Sequence, residues 1–496
     1  MSNAQDIGNQ EYAIDLLKRI NTLTVEGKNI GLYYTSGTYS SWASQQFFIL
    51  SQVKEFRKKG TFQKYKKSRR PRLVSYVPII LFNIVVLGVT LIALCSAMFR
   101  RPRVLLFCSD FLKHGSNKNP RLFNVLQFLQ NEKIRYIEII HVTTVRNFFI
   151  NILKRRRLGI YGESISVVSS FISLLSSKSI FKKIDWEVAS VEDFEKDFVQ
   201  YIVRETEKNI RRSDVSTKLL AVIFKLTGIK KFVSIDDNRY LGDILYACEK
   251  AAVPSYIFQH SNFDYLSGLD MLPPEQYIFP DYFFTWNTYW LRRITEISPL
   301  YSFYASRLKI GGRPYAFTPP KQVEYSKAIS NDSITVLIPY EVSSQREYIK
   351  PYMDSLLNDS RIQVLFVLRG DFEAGQQIAQ YFGSPNFKHP QLKIITPLDK
   401  EWAISQADVV AGVYSGFLDE SVEMGIPVCI FNTPYKNMNR LDRDNLASVV
   451  DSPDCDIFEE FNIVRQTSRE VLQTRKTKIS EGSRDIESCL HDIVCL

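Results

Sequence analysis

The sequence predicts an α/β chain with two doubly wound domains facing a cleft and an N-terminal membrane-associated hydrophobic segment. Three observations carry this expectation. A strand–helix–strand rhythm appears twice; a proline-bearing stretch without period, Arg313 to Asn331, separates the two runs; and no charge stands between Arg72 and Arg100. At 496 residues the chain is also too long for one ordinary core.

The first 60 residues hold a short amphipathic stretch (Tyr12 to Ile20), a candidate strand (Ile30 to Tyr34) and a helix (Ser41 to Phe56). The uncharged run that follows is long enough to cross about 30 Å of hydrocarbon as a helix. It starts far from Met1 and ends in Arg100, Arg101 and Arg103, so it is not a cleaved signal. Lysines and arginines flank both ends, as cytoplasmic ends do; Pro78 and Asn83 allow a re-entrant or monotopic hairpin, and a single crossing stands as the alternative.

The net charge is +10, but 16 Lys and Arg against 5 Asp and Glu fall within Met1 to Arg103, leaving the remainder close to neutral. Basicity confined to the surroundings of an apolar run argues against a nucleic-acid groove. The seven cysteines form no CxxC pair, which argues against a zinc site and a disulfide framework and for a reducing compartment.

The first α/β run opens with a strand at Val104 to Asp110, a helix from Asn119 to Asn131 and a strand at Ile134 to Val142. Residues Phe148 to Lys208 read as mostly helical, including an amphipathic Ser164 to Ser179 with a small-residue face. Strands follow at Lys231 to Asp237, Pro254 to His260, Asp281 to Trp286 and Arg307 to Gly312. The second run has strands at Ser333 to Glu341, Ile362 to Asp371, Lys393 to Pro397, Ala407 to Gly412 and Pro427 to Phe431. The implied organisation is a basic region (1–72), the hydrophobic segment (73–99), an N-terminal domain (100–318), a C-terminal domain (330–460) and a helical tail (461–496).

The most informative stretch runs from Pro397 to Phe431. A turn at Tyr414, Ser415 and Gly416 leads into a helix whose unpaired N–H groups favour phosphate, and Ser415 adds a hydroxyl. Glu420 and Glu423 fall on the first turns, where one of them is within reach of the ribose of a nucleotide held there. Glu341 and Arg369 end strands on the edge where open α/β sheets bind ligands, and Arg369 suits a diphosphate. Asp110 and His114 lie on the corresponding edge of the first run.

Ala407, Asp408, Ser415, Gly416, Glu420, Gly425 and Pro427 resemble the donor domain of GT-B glycosyltransferases that build bacterial capsule and lipopolysaccharide, and more distantly of teichoic acid glycerophosphotransferases. The segment from Ser234 to Tyr265 is similar to the stretch of these families that ends in Gln-His-Gly, with Gln259 and His260 matching and Ser261 replacing the glycine. A His-Pro pair found in many relatives is replaced by Leu368-Arg369-Gly370-Asp371.

The resemblance implies a GT-B arrangement of two Rossmann-like domains and transfer of a sugar from a nucleotide-sugar donor to a lipid-linked or growing surface polysaccharide. The setting is the cytoplasmic side of the plasma (inner) membrane, with other polysaccharide assembly enzymes as partners and no resident cofactor or metal. His260 would act as base on the acceptor hydroxyl or as a phosphate contact, with Asp237 and Asp110 as further catalytic candidates. Glu341, Arg369, Ser415, Gly416 and Glu420 are the donor-binding candidates. Two alternatives stand beside this reading: alditol-phosphate transfer from a CDP-linked donor, and a non-catalytic scaffold of an assembly complex.

Overall fold

The computed structural model describes residues 2–36, 39–68, 76–109, 122–141, 145–154, 159–175, 183–186, 192–235, 241–259, 272–315, 333–341, 346–369, 373–433 and 441–494. Three N-terminal helices of more than one turn, α1 (Ser2–Asn21), α2 (Gln46–Lys59) and α3 (Phe62–Ser68), precede the apolar α4 (Tyr76–Arg100). The first domain then runs β1 (Val104–Ser109), α5 (Phe123–Asn131), β2 (Tyr136–His141), β3 (Ile160–Tyr161), α6 (Gly162–Leu175), α7 (Asp193–Thr227) and β4 (Lys231–Ile235). It closes with α8 (Leu241–Ala251), β5 (Ser255–Phe258), β6 (Tyr282–Thr285), α9 (Thr288–Ile297) and β7 (Leu308–Ile310).

The seven strands are all parallel, in the order β3-β2-β1-β4-β5-β6-β7. Strand order reverses between β1 and β4, the signature of a doubly wound sheet. Alternate residues feed two cores: Leu105, Phe107 and Phe232 pack on one face, and Val104, Leu106 and Val233 on the other.

The second domain holds β8 (Ile334–Pro339), α10 (Arg346–Asn358), β9 (Ile362–Val367), α11 (Ala374–Phe382), β10 (Leu392–Ile395), α12 (Lys400–Gln406) and β11 (Val409–Gly412). It continues through α13 (Gly416–Met424), β12 (Val428–Phe431), β13 (Ser448–Val450) and α14 (Ile457–Arg465). Its strands, again all parallel, run β10-β9-β8-β11-β12-β13, with the switch between β8 and β11. The two Rossmann-like domains expected from the sequence are both present.

Two terminal helices, α15 (Arg469–Ile479) and α16 (Ile486–Val494), tie the halves together. Helix α15 packs on α13, whereas α16 returns to the first domain and packs on α5. Between them Asn287 Nδ2 donates to the Ile479 carbonyl (2.8 Å), and the Thr288 N–H to the Glu481 carbonyl (2.9 Å).

The N-terminal region folds onto the first half of α7. Phe56 stacks on Phe198 at 4.1 Å, and Tyr65 meets the same ring edge-on. The expected strand at Ile30 to Tyr34 is instead one helical turn (Ile30–Tyr33), because the Asn29 side chain accepts from the Gly31 N–H (2.9 Å) and caps it. Two short strands, Ile160–Tyr161 and Ile184–Asp185, interrupt the stretch read as helical.

Candidate functional site

At the second switch point, β8 delivers Tyr340 and Glu341 beside the turn that joins β11 to α13. Glu341 is 2% exposed. Its carboxylate accepts from the N–H groups of Val413 (2.9 Å), Tyr414 (3.0 Å) and Ser415 (2.8 Å). Gly412 makes room for this: a Cβ there would lie 2.8 Å from Glu341 Oε1. Charge-assisted bonds of this kind are stronger than neutral ones, so Glu341 fixes the turn from within.

Ser415 caps α13, its Oγ accepting from the Phe417 N–H (3.2 Å), and Gly416 is the first helical residue. Helix α13 ends at Gly425, whose φ of +78° is the left-handed conformation that favours glycine. Arg369 follows β9, which pairs with β8 on the side away from β11. Buried Gln377 pins its backbone, accepting from the Arg369 N–H and donating to its carbonyl (both 2.8 Å), while the side chain is exposed. Four of the five expected donor residues thus share one sheet edge.

Glu420 lies further along α13 and faces the first domain. Lys400 Nζ donates to it (2.7 Å), and Arg313 Nη1 stands 3.9 Å from its other oxygen. Arg313 also bonds Glu423 and the Tyr315 hydroxyl (2.8 Å) and lies 4.3 Å over the Trp286 ring. Burial opposes the guanidinium's charge, but Tyr315, Glu423 and Glu420 hold its pKa above the ordinary value. Burial pushes the Glu423 carboxyl upward, with Arg313 pulling the other way. Arg313 therefore bridges the aromatic cluster of one domain and the acidic face of α13 in the other.

Asp110, Asp237 and His260 lie outside the described residues. Their neighbour Gln259 is fully buried: its Oε1 accepts from the Trp286 N–H (3.0 Å), and its carbonyl from the indole N–H (2.9 Å). That pairing fixes the end of β5 against the residue that carries Arg313.

A cavity of about 560 Å³ opens between the N-terminal helices and the first domain. His141, the last residue of β2, lines it with Asn209, Arg212, Ser213, Asp243 and Tyr301. His141 Nδ1 lies 3.2 Å from Glu163 Oε1. Gly162 is needed beside it, since a Cβ there would fall 2.3 Å from the imidazole. Burial raises the Asp243 carboxyl above its usual range, countered by hydrogen bonds from Ser213 and Ser216.

Sequence reasoning passed over His141, although a histidine closing a buried strand on the ligand edge was the signal used for His260. Among the described residues no cluster of His, Cys, Asp and Glu has the makings of a metal site.

No family model and no curated protein sequence matches the chain. Among solved structures, the UDP complex of S. aureus MnaA is similar over 79% of this chain and 95% of its own, with 10% identity and a TM-score of 0.43. MurG from Acinetobacter baumannii covers 80% of this chain and all of its own (11%, 0.43), and a glycosyltransferase of kitacinnamycin covers 79% and 99% (10%, 0.47). At these identities and scores the likeness speaks for no residue and no chemistry of this chain.

Proposed function

We propose that the chain is a nucleotide-sugar-dependent glycosyltransferase that works against the cytoplasmic face of the inner membrane and extends a lipid-linked or growing surface polysaccharide. One observation carries the reading. The C-terminal edge of the second sheet carries a serine-capped helix start, Ser415 and Gly416, after β11 and the exposed Arg369 after β9, with β8 and Glu341 between them. Open α/β sheets take their ligands on such an edge at the switch point, and a helix start with a cation on the same edge suits a diphosphate.

The Glu341 carboxylate already takes three N–H groups of the turn, so the donor phosphates meet Ser415 Oγ, the Gly416 N–H and Arg369 on the outer side of it. Glu341 acts through the turn rather than on the nucleotide. Glu420 stands between the donor's ribose and Arg313, which makes domain closure and donor binding one event.

The acceptor enters the cavity lined by His141, Asn209, Arg212 and Asp243. The hydroxyl, amide, carboxylate and guanidinium groups among its lining residues suit a polyhydroxylated chain. Catalysis then consists of placing an acceptor hydroxyl against the anomeric carbon and stabilising the departing nucleotide.

The scaffold reading draws on one observation, the internal occupation of the turn by Glu341. Mass analysis of products formed by the full chain in membranes, supplied with UDP-, GDP-, CDP- and CMP-linked sugars, tests the proposal. A glycoside supports it, a phosphodiester supports alditol-phosphate transfer, and no product with any donor supports the scaffold.

A further inference from the structure

Helix α4 is built inside out. The face packed on the first domain centres on Val86, Thr90, Ala93 and Ala97, mostly small or hydroxylated residues at helical spacing, with Phe82, Val89 and Leu94 partly buried beside them. Thr90 Oγ1 shares a hydrogen bond with Ser164 Oγ (2.9 Å) and accepts from the Tyr161 N–H (3.2 Å). The outward face carries Ile84, Val85, Leu91, Ile92, Met98 and Phe99, the last 89% exposed. A helix on the surface of a water-soluble domain has the opposite pattern.

Helix α6 repeats the inversion beside it. Ser164 and Ser169 are buried, while Phe171 (67% exposed), Leu174 (81%) and Leu175 (74%) point out. Ser170 and Ser173 satisfy their hydroxyls on carbonyls of their own helix, at 2.7 and 2.8 Å. Both helices pack on α7, which adds exposed Val222 and Leu226. Phe82 of α4 meets Phe148 at 5.2 Å, and Phe149 and Leu153 that follow it are exposed. Contiguous apolar surface on this scale needs a cover.

The attachment of α4 decides how that cover is arranged. Three residues after Arg100 the chain enters β1 at the centre of the sheet. Arg135 Nη1 caps the Arg100 carbonyl (2.9 Å), and the Arg103 N–H bonds the Arg135 carbonyl (2.9 Å). No linker frees the helix from the domain, so a crossing helix would drag sheet and α6 into hydrocarbon. Exposed Arg100, Arg101, Arg103, Arg135 and Lys230 gather at this end and supply charge for anionic headgroups.

We propose that α4 and α6 form a monotopic platform. Their shared apolar face enters one leaflet of an anionic bilayer, and α4 does not cross it. The proposal deepens the membrane part of the proposed function, and its test reads insertion rather than transfer.

The full chain is added to preformed vesicles of phosphatidylcholine, with or without roughly one-third phosphatidylglycerol, and followed by flotation. The wild type should float, and Phe171→Asp with Leu174→Asp should lower partitioning at least about tenfold without shifting the melting temperature. Lys64→Cys and Lys230→Cys, in a background without other reactive cysteines, should both react with an impermeant maleimide outside the vesicles. Protection of Lys64→Cys alone would mean a crossing helix and overturn the proposal. Unchanged flotation of the Asp double variant, or a wild type that self-associates through Phe171 and leaves vesicles untouched, would do the same.

Discussion

Glu341 Oε1 accepts a 2.8 Å hydrogen bond from the backbone N–H of Ser415, joining the end of the first strand of the second domain to the turn after its fourth. An internal carboxylate thus does for the turn what a bound anion does at other helix starts. On the proposed function, a loop formed in advance lowers the ordering cost of donor binding.

Removing that carboxylate strands three inward-facing N–H groups. Glu341→Ala should lower the unfolding free energy by about 3 kcal/mol, read from the denaturant midpoint. Glu341→Gln, with one acceptor oxygen left, should lose roughly half as much. Gly412→Ala should also destabilise, because its Cβ meets Glu341 Oε1 at 2.8 Å. Unaltered midpoints in all three would remove Glu341 from its place in the turn.

The domain junction offers a second test. Asp444 Oδ2 accepts from the Tyr289 hydroxyl (2.6 Å) and from Arg293 Nη1 (2.9 Å), and Arg293 is 4% exposed. Asp444→Ala leaves a buried cation without this partner. The expected loss is about 2 kcal/mol, below that of a fully buried pair because Asp444 keeps contact with water. Limited proteolysis near Ile479 should quicken in the variant, because Asn287 beside this pair holds that carbonyl.

Attachment of the N-terminal helix should depend on pH in one direction. Burial by itself raises the Glu195 carboxyl, but bonds from Arg19, Tyr12 and the Glu192 backbone outweigh it and hold the pKa below its ordinary 4.5. A depressed carboxylate stabilises the fold above the unfolded-state pKa and loses that contribution as pH falls through the folded value. Hydrogen exchange in α1, corrected for intrinsic rate, should therefore be slow at pH 6 and accelerate below about pH 4.5. Glu195→Gln should flatten the dependence; an unchanged profile would assign the acid sensitivity elsewhere.

Much of this fold was written in local pattern. Val104 to Phe107 and Ile334 to Ile338 are apolar on both faces, as strands covered by helices must be, and both were legible as such. Ile160 and Tyr161 were not, since two residues carry no period and the strand exists only by pairing with Ile139 and Ile140. The small-residue face of α6 was visible, but that it turns inward depends on Thr90, 74 positions away. The turn at Ser415 and Gly416 could be read from the sequence. Its occupation by Glu341 could not, because nothing local to either segment records the other. Arg313 fell in a stretch read as linker, and only the packing of Trp286 and α13 around it makes it a bridge.

The central claim, a nucleotide site at the start of α13, is tested most directly by calorimetric titration of the full chain with UDP-, GDP-, CDP- and CMP-linked sugars. One donor should bind. Ser415→Asp, which sets a like charge against the phosphates while retaining a helix-capping side chain, should weaken it by about tenfold or more with the melting temperature held. Binding of none of these donors, or equal affinity in wild type and Ser415→Asp, would contradict it.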